Sequence, residues 1–458
     1  MLCPSSSRRT PRRWTAAALT VIVLGLVYGL LPCDDVYARI EAGRRTPRPA
    51  SAEPDPEPGT RHCPLPELDD VLVVLKTGAT ESQTKVPVHL NTTLRCVPHF
   101  AVFSDYDERI AGVRAHDVLR DLAERVKVAE PEFELYRRLR ARGRQALLQD
   151  PHGDHQNEEG DENGGLGMGM GKQDNAGWRL DKWKFLPMLD GALRERRTAR
   201  WFVFVEADTY VVWPNLAAWL ARLDPARAYY LAAPMASGDE VFGYGGAGIV
   251  LSQAAVRKVV EESRGQVEER TKAHWAGDAV LGRALADTGV PLVWASPMLQ
   301  TERVWEVDAL GAGAGAGADD GPWCYPAVSY HHMTAADIEA MWAFEQEWFR
   351  DEKNGVLLHG DVFKGLLFNG IAQRQDDWDN RASEPVPDRV ASFDDCAAEC
   401  DLNPACLQFS FRNGTCMTSP SAIRGVRRRG VQSGWMASRI ESVVSRVDSC
   451  PETEYIYE

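Results

Sequence analysis

The sequence predicts an α/β fold in which buried strands alternate with helices, followed by a small module held together by disulfides. Short apolar runs at 70–78, 99–105 and 201–206 end in glycine or an acid, as buried strands of a parallel sheet do. A polar segment lies between the first two runs, and a segment with helical periodicity follows them, which is the alternation expected of a layered fold. Closely spaced cysteines after residue 391 indicate the stapled module. At 458 residues, the chain is long enough for two folded units.

The charge balance limits the ligands that the protein can hold. The chain has 52 basic and 66 acidic side chains, a formal net charge of −14. This balance argues against a nucleic-acid-binding protein that holds phosphates through a basic face. An anionic ligand therefore needs a local source of positive charge, such as a bound metal ion.

The N-terminal segment predicts a membrane anchor. A tail at 1–14 contains four arginines, and residues 15–31 form an uncharged apolar run just long enough to cross a bilayer as a helix. The arginines would stay in the cytosol. The alternative is a cleaved signal peptide, which the lack of an Ala-x-Ala site after the apolar run disfavours. Either way, the remainder lies in the secretory lumen, beginning with a stem at 32–66 rich in Pro, Arg and Glu.

The cysteines agree with that compartment. Eight of the ten follow Cys33, and an oxidising lumen favours disulfides over zinc ligands or catalytic thiols. These eight are Cys63, Cys96, Cys324, Cys396, Cys400, Cys406, Cys416 and Cys450.

One predicted insertion interrupts the helical segments in the middle of the chain. A stretch with helical periodicity at 118–148 is broken near Pro131, and residues 151–177 are acidic and Gly-rich, which predicts a disordered loop. Histidines and aspartates in this insertion do not indicate a metal site, because a flexible Gly tract does not pre-organise ligands. Residues 178–189 predict one amphipathic helix that leads to the strand at 201–206.

Two acids end that strand, Glu206 and Asp208. In open α/β sheets, ligands bind beyond the carboxyl ends of the strands. Carboxylates at this edge suit a divalent cation, which in turn binds a diphosphate. An ordinary turn with solvated acids is the alternative for an isolated Glu-x-Asp triplet.

Three further motifs follow in order. Residues 242–248 (FGYGGAG) contain small residues that allow close approach of a ligand to the backbone, although they also suit simple packing. Asp278 is expected at a helix N-cap. His331 and His332 follow an apolar run.

Four motifs, taken in order, resemble those of glycosyltransferase family 31, of the Fringe and core 1 β1,3-galactosyltransferase type. They are WFVFVEADTYV, YGGAGIVLS, GDAVLGRAL and AVSYHHM. VLVVLKTGAT resembles the family's first nucleotide-binding strand. The resemblance implies a GT-A fold over 67–345, a UDP-sugar donor, a glycan or glycoprotein acceptor, Mn²⁺, and inversion at the anomeric carbon. It also implies a Golgi membrane protein of type II with a lumenal catalytic domain.

The resemblance assigns roles to individual residues. Asp208 matches the last acid of the family's Asp-x-Asp motif and would bind the metal, with His331 as a second ligand. Glu206 replaces the first acid of that motif. Asp278 matches the acid of the Glu-Asp-x-x-Leu-Gly segment and is the candidate general base, with helix capping as its alternative role. Gly277 stands where relatives often carry another acid, which leaves room for a degenerate enzyme.

Five further positions are assigned to the nucleotide sugar. Gly78 and Asp105 end the first two strands. Gly245, Gly246 and Gly248 belong to the Gly-rich turn.

The C-terminal cysteines resemble a PAN/Apple module at 391–450, joined by a polar linker at 346–390. That resemblance implies a small α+β domain with Cys396 paired to Cys416 and Cys400 paired to Cys406. It also implies binding of protein or carbohydrate.

Two functions remain in competition. One is a Mn²⁺-assisted, UDP-sugar-dependent hexosyltransferase, and the other is a catalytically silent lumenal protein that binds glycan or protein on a transferase scaffold.

Overall fold

The computed structural model describes residue 63 and residues 65–149, 175–311, 321–351, 353–387, 389–447, 450 and 453–457. The predicted tail, the predicted anchor and most of the predicted stem lie outside these residues, as does nearly all of the predicted loop at 151–177. Among the residues that are described, no helix is both long and apolar enough to cross a membrane.

Twelve strands precede residue 331 among the described residues: β1 (Val71–Lys76), β2 (Phe100–Ser104), β3 (Glu108–Ile110), β4 (Val113–Asp117), β5 (Trp201–Glu206), β6 (Tyr210–Val211), β7 (Tyr230–Ala232), β8 (Pro234–Ser237), β9 (Glu240–Gly243), β10 (Ile249–Ser252), β11 (Leu292–Trp294) and β12 (Ser329–Tyr330). The strands that follow are β13 (Gln375–Asp379), β14 (Glu384–Pro385), β15 (Gln408–Arg412), β16 (Thr415–Ser419) and β17 (Val426–Trp435).

The α-helices of the described residues are α1 (Ser82–Asn91), α2 (Glu124–Ala129), α3 (Glu134–Arg142), α4 (Ala176–Asp181), α5 (Phe185–Glu195), α6 (Trp213–Leu220), α7 (Gln253–Glu262), α8 (Val267–Lys272), α9 (Gly277–Asp287), α10 (Ala335–Trp348), α11 (His359–Val362), α12 (Phe393–Leu402) and α13 (Ala437–Val447).

An eight-stranded mixed sheet organises the first part of the protein, so the α/β prediction is confirmed. Its order is β11-β7-β10-β5-β1-β2-β4-β3. The central strands β2, β1 and β5 run parallel, and β10 joins β5 in the antiparallel direction. All six residues of β1 are buried, as expected for a central strand of an α/β sheet. The carboxyl ends of β1, β2 and β5 therefore meet at one edge.

Three local predictions differ from the structure. The polar segment between the first two strands contains helix α1. The single helix predicted at 178–189 is two helices, because α4 ends at Asp181 and α5 starts at Phe185. Asp278 is not the N-cap of its helix: Ala276 occupies that position, and Asp278 is the second residue of α9.

A second sheet forms the C-terminal part, in the order β13-β17-β15-β16-β14, with α12 packed on it. The disulfides Cys396–Cys416 and Cys400–Cys406 are the pairs that the PAN/Apple resemblance implied. Two others join Cys63 to Cys96 and Cys324 to Cys450.

The segment predicted as a linker at 346–390 is largely built into the fold. It contains α11, the edge strands β13 and β14, and buried side chains such as Phe363 and Leu367. These pack in one core with Tyr210 and Trp435, which are far apart in the sequence. The described residues from 63 to 455 belong to one compact unit.

Candidate functional site

A cleft of about 370 Å³ opens at the carboxyl ends of β1 and β5. Its lining is rich in charge and includes Lys76, Glu81, Lys85, Asp181, Lys182, Lys184, Glu206, Asp208, Asp278, His331 and His332. The position agrees with the rule that ligands of α/β sheets bind beyond the carboxyl ends of the strands.

Asp208, His331 and His332 form a cluster at one end of the cleft, with one potential ligand atom from each lying within 4.8 Å of the others. Nε2 of His331 lies 3.3 Å from Oδ1 of Asp208. The short antiparallel pair β6–β12 brings these distant segments together, and the N–H of Met333 donates to the backbone carbonyl of Asp208 at 2.9 Å. The two predicted metal ligands are thus neighbours in space.

His332 completes the cluster, although only His331 was predicted as a metal ligand from the sequence. Consecutive side chains of an extended chain point in opposite directions. Here His332 has a φ of 56°, an uncommon left-handed conformation for a non-glycine residue. Its ring stacks on that of His331 with 3.8 Å between the centroids. Such backbone strain is often found at functional sites.

The donor set fits a transition-metal dication. One carboxylate and two imidazoles combine oxygen and nitrogen ligands, whereas Mg²⁺ and Ca²⁺ prefer oxygen alone. Nδ1 of His331 is buried and has no hydrogen-bond partner among the described residues. Burial and the neighbouring charge of His331 lower the pKa of His332 to about 4. His332 is therefore neutral at pH 7, which is the form that binds metals.

Positive charge surrounds the Asp208 carboxylate. Nζ of Lys85 lies 3.1 Å from its Oδ2 and 3.0 Å from Oε2 of Glu81. Burial by itself would raise the pKa of Asp208, but His331 and Lys85 outweigh burial and hold that pKa well below its usual range. Asp208 is therefore ionised at neutral pH.

A chain of alternating charges supports the cleft floor. Lys76, at the end of β1, pairs with Asp181 and with Glu206, the latter at 3.0 Å. Lys184 is 2.9 Å from Asp105 and 3.2 Å from Asp181, and it donates to the carbonyl of Thr77 at 2.8 Å. Because buried charges are tolerated only when paired, each of these groups depends on the next.

Asp105 does not reach the cleft surface. It is buried, and besides its ion pair with Lys184 it accepts a hydrogen bond from the N–H of Ala79 at 2.9 Å. These contacts hold Lys184 and the turn after β1, where Gly78 does line the cleft. Asp105 therefore supports the predicted nucleotide site from behind.

The Gly-rich turn connects the cluster to Asp278. The hydroxyls of Thr209 and Ser329 donate to the carbonyls of Gly246 and Ala247, at 2.7 and 2.6 Å, and fix the turn. Gly246 lines the cleft, whereas Gly245 and Gly248 do not. The φ of 93° at Gly248 is one that L side chains rarely adopt, so this glycine shapes the backbone.

Asp278 faces the same cleft from the start of α9. Its Oδ2 accepts from the N–H of Gly245 at 3.2 Å, and its Oδ1 accepts from the N–H of Ala279 at 2.9 Å. Burial is the largest cause of the rise in its pKa to about 6, and Glu206 adds to it. A carboxyl with a pKa near 6 is ionised at pH 7 and remains basic enough to accept a proton.

Several cleft residues were not selected from the sequence. Lys76 and Lys184 lie in an apolar strand and in an amphipathic segment, where lysine is unremarkable without knowledge of the fold. Trp178 and Trp275 also line the cleft. For Lys76 and Lys184, the only signal in the sequence was their position within otherwise apolar runs.

Replacing Gly246 with alanine is expected to displace His331 and to weaken metal binding by more than tenfold. A methyl group at this position would lie 2.5 Å from Nε2 of His331, a separation that real side chains do not show. The measurement is Mn²⁺ affinity by isothermal titration calorimetry. Gly355→Ala is the control, since Gly355 lies outside the cleft and no atom lies within 4 Å of an added methyl there. Equal Mn²⁺ affinity in both variants would contradict the expectation.

Comparison with known proteins identifies the middle of the chain. Residues 183–337 match the family model described as Fringe-like. No curated protein matches the chain. The matched segment contains Glu206, Asp208, Asp278 and both clustered histidines. The chain therefore carries a Fringe-like domain, of glycosyltransferase family 31 type, at residues 183–337.

Proposed function

We propose that this protein is an inverting glycosyltransferase that moves a hexose from a UDP-sugar to a hydroxyl of a glycan or glycoprotein, with Mn²⁺ as cofactor. The observation that carries the proposal is that one cleft combines the Asp-His-His cluster with a carboxylate of raised pKa. A Fringe-like domain supports a glycosyltransferase function in general. A GT-A arrangement agrees with the mixed sheet and with the cleft at its carboxyl edge.

The donor would bind with its diphosphate at the cluster end. Asp208, His331 and His332 would hold Mn²⁺, which when bound supplies positive charge to stabilise the departing diphosphate. The ammonium of Lys85 lies beside Asp208 and remains partly exposed, so it adds charge at the same end. Glu206 is held by Lys76 and lines the cleft between β1 and β5.

Asp278 would act as the general base. Its carboxylate takes the proton of the acceptor hydroxyl while that oxygen forms a bond to the anomeric carbon. The bond from the anomeric carbon to the diphosphate oxygen breaks, and UDP leaves with the electron pair. Attack opposite the leaving group inverts the configuration at the anomeric carbon.

The cellular setting belongs to the same proposal. The four disulfides of the described residues support an oxidising compartment. We place the protein in the Golgi as a type II membrane protein, with residues 15–31 as its anchor. The C-terminal sheet, stapled by two of these disulfides, would act as a PAN/Apple-type module that holds acceptor.

Two observations favour the alternative of a silent binding protein. Lys85 already neutralises Asp208, and Gly277 supplies no second acid beside Asp278. In that case the cleft would bind no nucleotide sugar productively.

Thermal unfolding of the full-length protein with UDP and several UDP-sugars, with and without Mn²⁺, tests the proposal. A ligand that binds only the native state must raise the melting temperature, by an amount equivalent to roughly 2.7 kcal/mol at 100 times its dissociation constant. The proposal predicts an increase with UDP that requires Mn²⁺. A folded sample whose melting temperature is unaffected by every nucleotide would favour the silent binding protein.

A further inference from the structure

Two tryptophans line the cleft, and one of them, Trp275, lies three residues before Asp278. Trp275 is 40% exposed, which is unusual for so large an apolar side chain, and Trp178 is partly exposed. Both line the cleft, and their ring centroids are 6.5 Å apart at an interplanar angle of 31°. Neither indole N–H donates to a residue in the part of the chain that the structure describes. Their faces and N–H groups are thus available to a ligand.

A series of contacts places Asp278 between Trp275 and the Asp-His-His cluster. Gly246 lies against His331, and the preceding Gly245 donates to Asp278. Beyond Asp278, the chain turns through Gly277, where a methyl group would lie 2.5 Å from Cε2 of Phe185. This close packing directs the loop that contains Trp275 along the wall of the cleft.

The order of these groups defines where an acceptor sits. Inversion requires the attacking hydroxyl and the leaving diphosphate on opposite sides of the anomeric carbon. The diphosphate belongs to the cluster end, so the acceptor belongs beyond Asp278, where the two indoles are. A pyranose ring presents an apolar face of C–H groups that suits the electron-rich face of an indole, and its hydroxyls suit the indole N–H groups.

We propose that Trp275, backed by Trp178, is a stacking platform for a pyranose ring of the acceptor glycan, adjacent to Asp278. This inference rests on the proposed function for the identity of the reaction, because it assigns the acceptor to one end of the cleft. It restricts the acceptor to a hydroxyl carried on or next to a sugar ring. A bare serine or threonine side chain would leave the platform empty.

The test compares Trp275→Ala, Trp275→Phe and the wild type in two reactions of the full-length protein. Transfer to methyl glycopyranosides needs the acceptor site, whereas hydrolysis of the UDP-sugar uses water and needs only the donor site. Loss of the stacked indole is expected to raise the acceptor KM in Trp275→Ala by roughly tenfold or more. The hydrolysis rate and the donor KM of Trp275→Ala are expected to stay within about twofold of the wild-type values. Trp275→Phe is expected to restore part of the acceptor affinity.

Trp294→Ala is the matched control, because Trp294 is 38% exposed but lies on β11 and does not line the cleft. Its acceptor KM is expected to equal that of the wild type. A rise in the donor KM of Trp275→Ala, with the acceptor KM unchanged, would assign the indole to the uracil base and overturn the proposal. An unchanged acceptor KM would overturn it as well.

A direct binding measurement separates failure of this proposal from failure of the proposed function. If the wild type neither hydrolyses nor transfers, saturation-transfer NMR with the same methyl glycopyranosides still reports the platform. Binding by the wild type and loss of binding in Trp275→Ala would support the platform on a silent protein. No glycoside binding by the wild type would overturn it.

Discussion

Replacing Asp208 with asparagine is expected to reduce Mn²⁺-dependent transfer by roughly 10³-fold, because a bound metal contributes several kcal/mol to stabilising the leaving group. Asp208 is the only carboxylate of the Asp-His-His cluster. Asparagine keeps the size of the side chain but removes the negative charge that faces Lys85 and His331. Initial rates with saturating acceptor and varied Mn²⁺ measure the effect.

The control for Asp208→Asn is Glu81→Gln. Glu81 also pairs with Lys85, at 3.0 Å, but it does not belong to the cluster. The melting temperature of Glu81→Gln should still increase with UDP and Mn²⁺, whereas that of Asp208→Asn should not. Full Mn²⁺ dependence in Asp208→Asn would remove Asp208 from the metal site.

Replacing Asp278 with asparagine is expected to lower kcat for transfer by roughly 10² to 10⁴-fold, the usual contribution of a general base. Asparagine still accepts one hydrogen bond at the start of α9 but takes no proton. In the wild type the carboxyl must be ionised, so the transfer rate should fall as pH decreases below about 6, the raised pKa of this group. The measurement is the pH profile of kcat/KM, whose acidic limb should vanish in the variant.

The stability of Asp278→Asn provides the control, because ionisation of Asp278 is needed for transfer but lowers the stability of the fold. The pKa of Asp278 in the folded protein, about 6, exceeds its usual value of 3.8, so the ionised carboxylate destabilises the fold above about pH 6. This cost disappears below about pH 3.8, where the group is protonated in both states. Asp278→Asn should therefore melt no lower than the wild type at pH 7.5, with a difference that shrinks between pH 6 and pH 4. A large loss of stability at pH 7.5 would indicate a capping role for Asp278 instead of a catalytic one.

Much of the fold was predictable because local patterns determine local structure. The runs at 70–78, 99–105 and 201–206 are mostly apolar, as strands buried on both faces are. The helix at 178–189 was predicted as continuous because its apolar period continues across residues 182–184. Tertiary contacts break it there, since Lys184 is drawn to Asp105 and to the carbonyl of Thr77.

In the C-terminal part, too, local features were predictable from the sequence and distant contacts were not. The spacing of its cysteines was enough to suggest two of the disulfides through a family resemblance. The partner of Cys450 was open, because Cys324 lies 126 residues earlier and no local pattern joins them. The strands β13 and β14 lie in a polar segment at the sheet edges, where strands show no alternation of buried residues.

The sequence by itself determined the α/β class, the acids at the end of the β5 strand, and the order of motifs around Asp208, Asp278 and His331. These are properties of short segments, and short segments are what periodicity and motif spacing report. Only the tertiary structure decided that His332 joins the cluster, through a backbone with φ of 56°, and that Asp105 holds Lys184 from behind. It also brought Trp178 and Trp275 together. The physical reason is that side-chain direction and distant pairing depend on packing of the whole chain, which no window of sequence contains.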